Sequence, residues 1–323
     1  MRDHGGNLDE AMARFGGGRT DWLDLSTGIN RAPYPLPAFS AHAANDLPTK
    51  ADMDRLCKAA RMAYETTGSV LPVAGAQAAI QMIPRLCGPG TARVLSPTYN
   101  EHAASLRAAG WSVDEVTDIA DLAGADLAVA VNPNNPDGRA HDPETLLALS
   151  GKVGRLVVDE SFCDPVPQLS VAAKSGVNGL LVLRSFGKFY GLAGLRLGFV
   201  LGSEADISAL SAMSGPWPVS GFAIEAGIAA LSDSDWKAAT IARLTGDAMR
   251  MDRLAAQAGW NFAGGTALFR LYETPDAMAA QERLARGQVW SRIFPYNKCW
   301  IRLGLPGTEA EWEQVERALP TVR

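Results

Sequence analysis

Four short strand-like runs, three of them wholly apolar, constrain this chain more than any other feature of its 323 residues. They are Arg93-Val94-Leu95, Leu127 to Val131, Leu156-Val157-Val158 and Leu180 to Leu183. Each stops at polar residues, and stretches with helical spacing intervene, among them Glu101 to Ala109 and Pro143 to Ser150. An unbroken apolar run of this length suits a strand buried on both faces. Helices between such strands supply the crossovers that a parallel sheet needs. The pattern predicts an α/β fold whose large domain holds a mostly parallel sheet between helices. Ala76 to Leu86 reads as a further helix, and Asp142 as the N-cap of the helix that opens with Pro143.

The two ends of the chain read differently. Residues 1 to 37 carry Gly16-Gly17-Gly18, Gly28, Pro33, Pro35 and Pro37, so they predict an irregular arm around a short helix, Leu8 to Phe15. Ala51 to Tyr64 has helical spacing. In the last third, Trp236 to Ala258 predicts a long helix, Thr266 to Tyr272 and Lys298 to Leu303 predict strands, and Glu309 to Ala318 a closing helix. The expected organisation is an arm over 1–34, a large domain over 35–240 and a smaller α+β domain over 241–323. The length favours two lobes over one core.

Composition excludes several classes. The net charge of −5 comes without a clustered Lys/Arg face, which argues against a nucleic-acid surface. The four cysteines, Cys57, Cys87, Cys163 and Cys299, form no C-x-x-C pair, so structural thiols in a reducing cytoplasm are expected. Met1-Arg2-Asp3-His4-Gly5-Gly6 lacks the apolar stretch of a signal peptide, and no run is long enough to span a bilayer.

In an open α/β sheet, ligands bind beyond the carboxyl ends of the strands. Those ends carry Ser96-Pro97-Thr98-Tyr99, then Asn132-Pro133-Asn134-Asn135-Pro136-Asp137-Gly138, then Asp159-Glu160, then Arg184-Ser185-Phe186-Gly187-Lys188. Neighbouring strands would gather an aromatic ring, an amide, a carboxylate, a hydroxyl and an amine, which are the parts of a pyridoxal 5'-phosphate (PLP) site. Lys188 is the candidate to hold the aldehyde covalently, because desolvation beside an apolar strand lowers a lysine pKa. Asp159 is the candidate partner of the pyridine nitrogen, since a buried carboxylate needs a cation. Arg196 and Ser185, with the helix start Gly75-Ala76-Gln77, suit the phosphate. Asn135 could donate to the ring oxygen and Tyr99 could stack on the ring. Taken singly these are a surface lysine, a helix cap, a turn amide and a packed tyrosine; their convergence is what points to a cofactor. Glu160 is given no role.

Ser185 to Gly198, reading SFGKFYGLAGLRLG, resembles the lysine signature of the class I/II aminotransferases, PLP enzymes of fold type I. Asn132 to Gly138 resembles that family's Asn-Pro-Asn-Asn-Pro-Thr-Gly loop, with Asp137 in place of Thr, and Val157 to Phe162 its Asp-Glu-Ala-Tyr strand end. Within the family, His4-Gly5-Gly6-Asn7, Asp24 to Asn30 and Leu183 to Tyr190 resemble the L-threonine-O-3-phosphate decarboxylase branch of cobalamin biosynthesis. The resemblance implies PLP, a phosphorylated amino acid as substrate, and a homodimer with active sites at the subunit interface. It implies Arg302 for the substrate carboxylate, Arg292 and His4 for the distal phosphate, and Asn30 in a segment that closes over the substrate. Two further departures matter. Phe162 replaces the usual tyrosine, which removes a hydroxyl near the ring oxygen, and Leu47-Pro48 replaces a Tyr-Pro that lends its phenol to the neighbouring subunit.

Three activities fit these residues. Decarboxylation follows if the carboxylate stands perpendicular to the cofactor ring, and transamination, as on histidinol phosphate, if the Cα–H bond does. A PLP-sensing regulator or scaffold fits least, since no helix-turn-helix fits before Pro37 and the set of Lys188, Asp159 and Arg196 is complete.

Overall fold

The computed structural model describes residues 4–319, so the outermost residues of the expected arm and of the expected C-terminal domain lie outside the described residues. Its contacts form two compact units. The larger comprises 34–135 and 140–236; the smaller comprises the chain up to Pro33, residues 136–139 and Lys237 onward. The N-terminal segment therefore belongs to the smaller unit instead of standing as a separate arm. Leu23–Asp24 pairs in parallel with Val289–Trp290, and the rings of Phe15 and Trp22 lie 6.4 and 6.2 Å from that of Trp290. The boundary expected at 240 falls instead at 236/237, inside the continuous helix Ser234–Gln257, where an unbroken helical pattern carries no boundary signal.

The larger unit is built on a seven-stranded sheet in the order Ser69–Val73, Gly198–Gly202, Leu180–Ser185, Leu156–Asp159, Leu127–Val131, Thr91–Leu95, Ser112–Val116. The four pairings from Leu180–Ser185 to Ser112–Val116 are parallel, and the two involving Gly198–Gly202 are antiparallel. The apolar runs of the sequence are its central strands, and Val129, Val157, Leu181, Leu183 and Val200 sit in one buried cluster. Truncating such a leucine to alanine costs roughly 2–5 kcal/mol. Three strands gave no clear signal. Ser112–Val116 is a largely polar edge, Ser69–Val73 is an edge interrupted by Pro72, and Gly198–Gly202 is bounded by glycines. Gly198 is required there, because a Cβ would lie 2.5 Å from the Ala76 amide nitrogen.

Expected helices are present over Leu8–Phe15, Pro143–Ser150 and Glu309–Ala318. The stretch expected as Ala76 to Leu86 is an α-helix over Ala76–Met82 that tightens to a 3-10 turn at Ile83–Arg85, where Pro84 lacks the N–H to continue it. The smaller unit holds an antiparallel sheet in the order Arg292–Phe294, Asn297–Gly304, Phe269–Glu273, Asn261–Thr266. The single strand expected over Thr266 to Tyr272 is two strands, since Thr266 pairs with Phe269 across a tight turn. Among the described residues no helix is long and apolar enough to cross a membrane.

Candidate active site

A cavity of about 200 Å3 opens at the carboxyl ends of the central strands in the larger unit. The strand Leu156–Asp159 delivers Asp159 into it, 2% exposed. Oδ1 of Asp159 accepts from the Ser161 amide at 2.9 Å and the Ser161 hydroxyl at 2.5 Å. Oδ2 lies 2.8 Å from Nε2 of His102. An ionised carboxylate only accepts, so Nε2 carries the proton. Burial alone would raise the Asp159 pKa; the hydrogen bond and field of His102, with the two bonds from Ser161, outweigh it and hold the carboxyl below its ordinary value. His102 lies inside the helix Glu101–Ala108 and is buried. Sequence reasoning missed it because a lone histidine on an amphipathic helix reads as core packing.

Lys188 sits in the short helix Phe186–Phe189 that follows the strand Leu180–Ser185. It is half-buried, and its Nζ lies 5.7 Å from the centre of the Phe162 ring. Gly187 is needed beside it, since a Cβ there would come within 2.7 Å of Cα of Ala193. Arg196 adopts the left-handed conformation at φ +53°, and its Nη1 donates to the Ala193 carbonyl at 3.1 Å. That places its guanidinium against Gly75, where a Cβ would meet Nη2 at 2.7 Å. Gly75, Ala76 and Gln77 form the start of the helix Ala76–Met82, and with Arg196 and Ser185 they line the same end of the cavity. The first N–H groups of a helix have no partner within it, so this end offers donors and a cation to an anion.

Asn135 and Tyr99 line the cavity as well. Asn132 and Asn134 do not. The Asn132 amide bridges His141 and Leu169, and Asn134 donates to the Pro97 carbonyl at 2.9 Å and accepts from Thr98 at 2.6 Å. These two amides tie down the loop that presents the third. Glu160, left without a role by the sequence, accepts from Nη1 of buried Arg184 at 2.7 Å, while Nη2 binds Asp164 at 2.7 Å. Burial works against the Arg184 charge, and Asp164 and Glu160 more than offset it, raising its pKa well above the ordinary value.

The four residues expected to meet substrate are in the smaller unit. Arg292 and Arg302 are cross-strand partners in register, so their side chains leave one face of the sheet. Arg302 is buried; Nη2 donates to the Ser26 carbonyl at 2.7 Å, and its guanidinium lies 5.0 Å from the Phe269 ring. Burial first, and the like charge of Arg292 second, push its pKa down to about 10. Arg292 and His4 line a second cavity of about 640 Å3. Asn30 is buried, and its Oδ1 accepts from Nη2 of Arg243 at 2.7 Å and from the Ala32 amide at 3.1 Å.

The sequence pattern described as aminotransferase class I and II matches residues 48–319. The chain belongs to the class I and II aminotransferase family. Among its relatives in that family, a threonine-phosphate decarboxylase from Sinorhizobium is 46% identical over 311 residues, covering 94% of this chain and 92% of the relative. Another, from Pseudomonas aeruginosa, is 43% identical over 326 residues, covering 99% and 97%. A histidinol-phosphate aminotransferase from Sinorhizobium meliloti, solved in complex with PLP, shares the fold with a TM-score of 0.80 at 22% identity, covering 98% of this chain and 94% of that one.

The family implies PLP, and the larger unit's cavity suits it. An amine and a carboxylate held ionised line one cavity, together with a tyrosine ring and an end rich in N–H donors beside an arginine. Those are complements to an aldehyde, a protonated ring nitrogen, a ring face and a phosphate.

Proposed function

We propose that this chain decarboxylates L-threonine O-3-phosphate to (R)-1-amino-2-propanol O-2-phosphate, with PLP held in the larger unit, and so serves cobalamin biosynthesis. Two threonine-phosphate decarboxylases above 40% identity over nearly the full length support the activity. The structural observation that carries the substrate class is the pair Arg292 and Arg302. Two guanidinium groups on adjacent strands, one buried and with its pKa pushed down to about 10, are relieved by an anionic ligand. An amino acid that also bears a phosphate brings two anionic groups.

Lys188 would hold the cofactor, Asp159 would keep a proton on its ring nitrogen, and Arg196, Ser185 and the first amides of the Ala76–Met82 helix would hold its phosphate. When bound, PLP supplies an electron sink for a Cα bond that stands perpendicular to its ring. Arg302 would take the substrate carboxylate and Arg292 and His4 the distal phosphate, with Asn30 in the segment that closes over the substrate. Loss of the carboxylate as CO2 leaves an electron pair at Cα, and the Lys188 amine would deliver the proton that takes its place. A second copy of the chain covers the apolar side chains exposed on the larger unit, such as Leu47 and Phe222. Product analysis after incubation with L-threonine O-phosphate tests the reading: CO2 and the amino alcohol phosphate are expected. Oxo-acid-dependent conversion of the cofactor to its amine form, without CO2, would assign the chain to transamination instead.

A further inference from the structure

Glu101 is a buried acid that the expected chemistry does not use. It opens the helix Glu101–Ala108, two residues after Tyr99 and one before His102. Its Oε2 accepts from Nε2 of Gln77 at 2.9 Å. The other end of that amide, Oε1 of Gln77, accepts from the Tyr99 hydroxyl at 3.2 Å. Gln77 sits at the cavity end suited to the cofactor phosphate, yet its side chain is spent on this chain of bonds, which leaves its backbone N–H as its contribution there.

The direction of the chain is set by the Gln77 amide, whose NH2 faces Glu101 and whose oxygen faces Tyr99. An amide oxygen accepts only, so the phenol must donate to it. Tyr99 has one proton to give, and it is given away from any ligand. Its oxygen can accept but not donate, so it cannot hold an anionic phosphate. What Tyr99 offers a cofactor is its ring, in an orientation set by that bond.

We infer that Glu101 is a positioning residue: through Gln77 it fixes the Tyr99 ring in the orientation that meets the cofactor. This rests on the reading that the cavity takes PLP. The ordinary alternative is that Glu101 serves only its own helix, as an acid in the first turn. The two roles separate in a double-mutant cycle. The readouts are visible circular dichroism per bound cofactor, PLP affinity, and thermal unfolding of the apoprotein. Glu101→Leu is expected to lower the dichroism about twofold and weaken PLP binding about tenfold. Tyr99→Phe, which removes the phenol at the other end, is expected to do the same, and the double variant to be no worse than Tyr99→Phe alone. If Glu101→Leu does not fold, Gln77→Leu replaces it, with the same expectation. Effects that add in the double variant, or wild-type dichroism and affinity in the singles, would overturn the relay. Wild-type protein that takes up no PLP would sink the cofactor reading itself, whereas uptake with unchanged variants sinks the relay alone.

Discussion

A carboxylate buried as deeply as Asp159 must find partners or give up its charge. It finds His102 and Ser161, and its pKa lies below the ordinary aspartate value. A lowered folded-state pKa means that its stabilising contribution is complete above the unfolded value of about 3.9 and is lost as pH falls through the lowered one. The stability gap between wild type and His102→Phe apoprotein is therefore widest near neutrality. It should narrow as pH drops through that range, measured by urea unfolding at several pH values; a gap constant with pH would refute the role given to His102. Phe162 carries a second prediction. Phe162→Tyr would put a hydroxyl on the cavity wall beside Lys188, where it would donate to the ring oxygen of a bound cofactor and lower that oxygen's affinity for a proton. The pH at which bound cofactor changes its absorption should fall by about one unit, and an unchanged titration would contradict this. At this scale the sequence was informative where a residue ends a strand. Lys188, Asp159, Tyr99 and Asn135 all follow apolar runs, and all line one cavity. His102 and Glu101 lie inside a helix whose pattern looks like any other, so their roles emerge only when the helix is laid beside the sheet.

Between residues and fold stands the buried cage around Arg184. The strand Leu180–Ser185 carries that arginine, and the segment after the strand Leu156–Asp159 carries Glu160 and Asp164. The two ion pairs hold together the neighbouring strand ends from which Asp159 and Lys188 project. Arg184→Met leaves two carboxylates buried without their cation. It should cost about 3–5 kcal/mol in denaturant unfolding, and a loss below about 1 kcal/mol would mean that water or rearrangement replaces the clamp. Elements were legible where the hydrophobic period was clean. The helix opened by Asp142 and Pro143 has the expected bounds, and the one expected over Ala51 to Tyr64 starts a residue earlier, at Lys50, where Thr49 and Asp52 cap it. The antiparallel strand Gly198–Gly202 was not legible, because Gly198 answers to the backbone of the Ala76–Met82 helix start and Gly202 to the Leu181 side chain, and neither to strand propensity.

For the whole molecule, the division into units followed contacts that a linear pattern does not carry. Residues 136–139 join the smaller unit because Gly138 meets the backbone of Gly265, and Gly264 that of Asp137, at distances no side chain would permit. The larger unit exposes Leu47 in the position where the family pattern has a tyrosine, and Phe222 of the helix Gly221–Leu231. If a second copy covers this face, sedimentation equilibrium gives twice the chain mass, and the pair Leu47→Asp and Phe222→Ser shifts it toward the single chain. A wild-type monomer at high concentration would exclude that assembly. The proposed function rests first on whether one amine, that of Lys188, takes up PLP in the cavity of the larger unit. Borohydride reduction of the PLP-loaded protein, followed by peptide mass mapping, tests it most directly. The predicted result is a reduced pyridoxyl phosphate adduct on the peptide carrying Lys188; an unmodified Lys188 peptide from protein exposed to excess PLP would contradict it.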